Sequence, residues 1–153
     1  MLPRQAEFGQ NRAVGDQQLM RVMSKDIQFE AWLTSVLPHS APPEIVAYNF
    51  DLAEAGDWIV EVIGASAYDK NDDDWACPPA TWTSQPSRFY IPRKTAPTWE
   101  SALAYVRVQV GLYINDNKSV QSGVLREAEV VCAGFVDGQL TLIWSRSTGS
   151  EQS

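Results

Sequence analysis

Apolar residues along the chain recur with two different periods, and the switches between them mark the elements. Phe29, Trp32, Leu33, Val36 and Leu37 are spaced three and four apart, which predicts a helix over residues 26–37. Ser24 or Asp26 can cap it, and Pro38 stops it, because the ring lacks an N–H and pushes Leu37 out of helical geometry. Over 44–52 the period drops to two. Val46, Tyr48, Phe50 and Leu52 share one face and Ile45, Ala47, Asn49 and Asp51 the other, as in a half-buried strand. Residues 53–56 read as a turn and 57–65 as a second β-branched strand, so the two pair as an antiparallel hairpin.

No period is visible over 66–87, a connection longer than compact domains usually tolerate unless it is functional or disordered. Phe89, Tyr90 and Ile91 form a short strand that Pro92 confines to an edge or a strand end. The longest helical stripe follows over 98–116, with Trp99, Leu103, Val106, Val110 and Tyr113 on one face, Thr98 as cap and Glu100 in the first turn. Residues 115–123 read as a polar loop. Strands over 127–136 and 139–144 flank Asp137-Gly138, whose tolerance of positive φ makes it a strong hairpin signal.

The order α-β-β-β-α-β-β predicts an α+β domain, a mainly antiparallel sheet of about five strands packed against two helices. At 153 residues the chain has room for one such core, expected over 24–146. Residues 1–23, rich in glutamine and without sustained period, are expected to be a flexible extension, with Met20 and Met23 as alternative starts; 147–153 is an expected disordered tail.

Charge alters this picture more than composition does. There are 19 acidic against 12 basic residues, and nine of the acids fall within 44–82, where Lys70 is the only base. A nucleic-acid backbone would be repelled, whereas a basic protein would be steered in. The apolar stretch over 102–114 is interrupted by Arg107 and Gln109 and is shorter than the roughly 20 residues of a membrane span. Two cysteines are too few for a disulfide framework, and no signal-peptide pattern opens the chain, so the cytoplasm is the expected compartment. Cys132 reads as a small core residue and Cys77 as a loop residue.

Motifs for chemistry are sparse. His39 is the single histidine and lies beside Ser40 in a proline-rich connector, without the elbow pattern a serine nucleophile needs. A zinc site would have to recruit His39, Cys77 and Cys132 from scattered positions. Residues 69–73 imitate the start of a calcium loop, but Asp74 stands at the glycine position and Ala80 where a bidentate Glu belongs. No cofactor is expected. Of the six tryptophans, Trp32, Trp58, Trp99 and Trp144 fall in periodic elements and are expected in the core. Trp75 and Trp82 instead lie in the long loop with Asp69, Asp72, Asp73 and Asp74, the composition of a protein-binding hot spot. These six are the expected partner-binding residues.

Asp72, Asp73, Asp74 and Trp75, then Phe89-Tyr90-Ile91-Pro92, then Trp99-Glu100-Ser101-Ala102-Leu103 opening a long helix, and finally Gly134-Phe135-Val136-Asp137-Gly138 with Leu140 form a pattern over 26–145. It resembles small bacterial proteins of the immunity or antitoxin kind associated with polymorphic toxins. The resemblance implies a cytoplasmic, non-enzymatic inhibitor that neutralises a cognate toxin domain by binding it, with an acidic face against a basic nuclease domain. Two other readings compete: an enzymatic or small-molecule-binding domain with a pocket between helix and sheet, using carboxylates such as Glu61 or Asp137, and an accessory subunit that forms a homodimer through the edge near 89–91.

Overall fold

The computed structural model describes residues 24–77 and 79–146. The expected extension 1–23 and tail 147–153 lie outside the described residues. Helix α1 (Ile27–Val36) starts at Asp26, not Ser24: the Asp26 carboxylate accepts the backbone N–H groups of Gln28 and Phe29, and Leu37 turns extended ahead of Pro38. Strands β1 (Ala47–Ala55) and β2 (Asp57–Ala65) form the hairpin. Residues 53–55 were expected in its turn but remain in the strand, because Gly56, at φ +84°, reverses the chain alone. That sharp reversal sets a register in which Ala55 faces Asp57 and Asp51 faces Glu61.

The long connection contains a 3-10 turn at Asp73–Ala76 and a two-residue strand β3 (Trp82–Thr83) before β4 (Phe89–Ile91). Helix α2 (Trp99–Asp116) opens with a reciprocal capping box between Thr98 and Ser101. The expected polar loop over 115–123 is corrected by a third helix, α3 (Val120–Arg126). Ser119 caps it and the Ser122 hydroxyl reaches back to the Asn117 and Ser119 carbonyls. Strands β5 (Val130–Phe135) and β6 (Thr141–Ser145) close the chain.

The described strands form one sheet in the order β3-β2-β1-β5-β6, with β4 beside β2 as well. All pairings are antiparallel except β1 with β5, which the helical crossover through α2 and α3 makes parallel. The fold is α+β, with three helices and six strands among the described residues.

All three helices lie on one face of the sheet. Tyr48, Phe50 and Leu52 of β1, Val60 and Val62 of β2, and Val131 and Ala133 of β5 meet Phe29 and Leu33 of α1, Val106, Val110 and Tyr113 of α2, and Leu125 of α3. Burying each large side chain here contributes about 1.5–3 kcal/mol. The α2 stripe is shifted from the expected one: Ala102 and Ile114 are buried with Val106, Val110 and Tyr113, while Leu103 only flanks the core. Trp99, expected in the core, is 54% exposed, since at the first position of α2 it overhangs the sheet and meets Phe135 edge-on. Among the described residues no helix is long and apolar enough to cross a membrane.

One core residue is oddly polar. The Tyr48 ring is buried against Trp82, and its hydroxyl has no hydrogen-bond partner. Burial, with Glu44 nearby, pushes its pKa up to about 12. Tyr48→Phe is expected to raise stability by about 1 kcal/mol, because it removes an unpaired polar group and keeps the ring. A lower denaturant midpoint in the variant would show that the hydroxyl has a partner in solution.

Candidate functional site

The opposite face of the sheet carries the other half of each strand's alternation and, among the described residues, no α-helix. Its lower part is sealed by the connection after β2. Ala47, Val130 and Cys132 are buried there, with Val46, Tyr68, Trp75 and Leu140 packed against them. Val46 therefore leaves the face expected for it: it precedes β1, and Ile45 joins the helix-side core instead. Burial and the charge of Asp73 push the Cys132 thiol up to about 12, so it stays protonated and inert at neutral pH.

The acidic loop is pinned to this seal. Trp75 and Tyr68 pack edge to face with ring centroids 5.4 Å apart. The Asp73 carboxylate accepts the Leu140 N–H at 3.1 Å, tying the 3-10 turn to the β5–β6 connection. Asp72 caps the turn by accepting the Asp74 N–H at 3.0 Å, and Asp69 accepts the Asn71 N–H at 2.9 Å. Residues 139–140, expected to begin the last strand, fold over Gly134 instead. A Cβ at Gly134 would stand 2.7 Å from the Gln139 carbonyl oxygen, which is why only glycine fits there.

Four of the six expected partner-binding residues, Asp69, Asp72, Asp73 and Asp74, are thus exposed together on one short, internally bonded segment. The two tryptophans are not brought together. Trp75 packs on the outer face, whereas Trp82 packs against Tyr48 on the helix side. Both are half-buried anchors of the connection, not a shared exposed hot spot. The calcium-like run does not converge on a site either: among the described residues no group of three or more His, Cys, Asp or Glu side chains could hold a metal ion.

Above the seal the outer face is polar at its centre. Asn49 of β1 is fully buried and donates through its amide nitrogen to the Asp51 carboxylate, while its own Oδ1 has no partner. Across the hairpin Asp51 faces Glu61, whose carboxylate receives Gln85 at 2.9 Å and the Arg88 guanidinium at 2.6 Å. Tyr90 and Glu61 in turn hold Arg88 in its charged form. Glu61 therefore has a counter-ion; Asp51 has an amide and a facing carboxylate. Burial drives the Asp51 carboxyl up to about 6, with Glu61 adding to the rise and the Asn49 bond opposing it.

Glu61, a carboxylate expected for a pocket between helix and sheet, lies on the face away from the helices, and Asp137 is exposed in the turn after β5. The feature that sequence reasoning missed is the buried Asn49–Asp51 pair. A signal for it exists, since two polar residues, Asn49 and Asp51, fall side by side on the outer face of the central strand. The edge expected for a homodimer is present in β4, which pairs with β2 and exposes Tyr90. Comparison of the chain with protein-family models, with curated proteins and with solved structures yields no match.

Proposed function

We propose that the chain is a non-catalytic acidic binding domain of the immunity or antitoxin kind, acting in the cytoplasm to neutralise a toxin domain by covering a basic surface on it. The observation that carries this reading is the acidic loop. Four carboxylates within six residues repel one another, yet the loop is not left slack. It is held by the Asp72 cap, the Asp73–Leu140 bond and the Tyr68–Trp75 contact. A fixed negative surface loses little conformational entropy on binding and attracts a basic partner through its field.

The test uses the product of the neighbouring gene, which this reading expects to carry a toxin domain. Co-expression should restore growth that the toxin domain alone abolishes. With Asp72, Asp73 and Asp74 all changed to Asn, positions 72 and 73 retain a side-chain oxygen for their hydrogen bonds, so folding should persist. Association should slow by about tenfold or more at low salt, since steering by charge is what is removed. Its dependence on salt should flatten as well, because exposed charges are screened beyond about 8–10 Å at physiological ionic strength. Equal association rates for the wild type and the triple variant would remove the loop from the interface.

A further inference from the structure

The acidic loop accounts for attraction at a distance, but it does not account for Asp51. This carboxyl lies on the central strand, partly withdrawn from water, opposite a second carboxylate. Like charges paired directly across strands destabilise a sheet, and a desolvated carboxylate without a cation is costly. The neighbouring acid has its guanidinium in Arg88; the groups acting on Asp51 are Asn49 and Glu61. A second observation points the same way. Asn49 is fully buried beside Asp51, and its Oδ1 is an acceptor without a donor. A carboxylate lacking a cation and an amide oxygen lacking a donor stand side by side. A group carrying positive charge and several N–H donors would pair with the Asp51 carboxylate from the solvent side, and an arginine fork does so best; Asn49, buried beside it and bonded to the same carboxylate, would sense its arrival.

The surroundings decide what delivers that cation. Tyr90, which pairs with Ile59 of β2, is 52% exposed, and Leu142, which pairs with Cys132 of β5, is 40% exposed. Both positions belong to the outer face, on strands at opposite sides of the sheet. In the order β4-β2-β1-β5-β6 they are four strand spacings apart, about 19 Å. A free amine would touch Asp51 and neither of them. A protein surface would reach all three, with apolar contacts flanking a central charged anchor as interfaces are built.

We infer that the open face of the sheet is the contact surface for a basic protein partner, which seats an arginine or lysine side chain on Asp51 and packs against Tyr90 and Leu142. The inference rests on the proposed binding function and deepens it: the acidic loop speeds encounter, and the sheet face holds the complex.

The first experiment needs no partner. Acetyl-arginine amide, with its uncharged counterpart acetyl-citrulline amide as control, is titrated into the isotope-labelled full chain while the Asp51 carboxyl and Asn49 side-chain amide are followed by NMR. The arginine compound should move the Asn49 amide signals and lower the Asp51 titration midpoint, because a cation favours the ionised form. Citrulline should do neither, and Asp51→Asn should abolish the Asn49 response to arginine. Identical responses to both compounds, or an unchanged arginine response in Asp51→Asn, would overturn the inference. The second experiment measures binding of the toxin domain. Asp51→Asn and Tyr90→Ala should each raise the dissociation rate about tenfold or more with little change in association. Toxin binding that both variants leave intact would overturn the sheet-face inference while sparing the proposed function. Toxin that fails to bind the wild type, with the arginine response present, would retire the toxin and support the cation seat. A dimer seen by sedimentation that Tyr90→Ala dissolves would make a second copy the occupant and overturn the choice of partner.

Discussion

Changing Tyr113 to alanine should destabilise the protein by about 3–5 kcal/mol, the range for deleting a fully buried ring. Tyr113 is inaccessible to solvent, and it is where the three helices meet. Its ring lies in the main core, and its hydroxyl bonds to the Thr34 hydroxyl of α1 at 2.9 Å and to the Ser119 hydroxyl that caps α3 at 3.3 Å. Helix α3 has seven residues, too few to persist without tertiary support. Loss of the ring should therefore loosen the α3 cap together with the core. Tyr113→Phe separates the two contributions. It keeps the packing and strands the half-buried Thr34 hydroxyl, at a cost of about 1–2 kcal/mol. Urea unfolding of both variants measures this, and a Phe variant as stable as the wild type would show that the hydroxyl does not link the helices.

The parts of the fold that were legible in the sequence are those with a long, clean period. The β1–β2 hairpin and helix α2 each sustain their pattern over most of their length, and burial follows it: Tyr48, Phe50, Leu52, Val60 and Val62 are buried, and so are Val106, Val110 and Tyr113. Helix α3 lacked that redundancy. Seven residues give two turns, and Ser122 and Gly123 in its middle read as loop chemistry. What sustains it is tertiary: Val124 and Leu125 are buried, and Ser122 bonds to carbonyls preceding the helix. Trp99 failed for the opposite reason. It matches the α2 period, but periodicity assigns a face and says nothing of where the sheet beneath it ends.

The candidate site was legible in composition and not in arrangement. The clustering of Asp69, Asp72, Asp73 and Asp74 is visible in sequence, and all four are exposed. The division of labour between Trp75 and Trp82 is not visible, because it depends on which side of β2 the connection passes at each point. The opposition of Asp51 and Glu61 follows from the register, and the register follows from placing the reversal at Gly56 alone. With a four-residue turn assigned to 53–56 that pairing could not be read. The partner contacts through which Asp73 and Gly134 act, at Leu140 and Gln139, join segments more than 60 residues apart in one case and adjacent in the other.

Asp51→Asn is expected to stabilise the protein at neutral pH and to remove part of its pH dependence. The sign follows from the direction of the shift. Burial raises the folded-state carboxyl from the ordinary 3.8 to about 6, so between these values the folded chain binds more protons than the unfolded one. Stability from this group is then fully present below about pH 4 and is lost as pH rises through about 6. A shift of this size corresponds to about 3 kcal/mol at most, and solvent access at the open face reduces the expected effect to about 1–2 kcal/mol. Asparagine cannot ionise, keeps an oxygen for the Asn49 amide and no longer opposes Glu61. Denaturant titrations of the two proteins should therefore nearly coincide near pH 4 and diverge up to pH 7, with the variant the more stable. Curves that stay parallel across that range would show that Asp51 carries no excess cost in the folded state. The diverging curves would establish the reverse: a carboxylate kept at the centre of an open sheet face at the expense of stability, where folding alone would favour the amide. A group retained against folding in this way is what a binding surface requires, because a partner's cation would recover the free energy that the unpaired charge withholds.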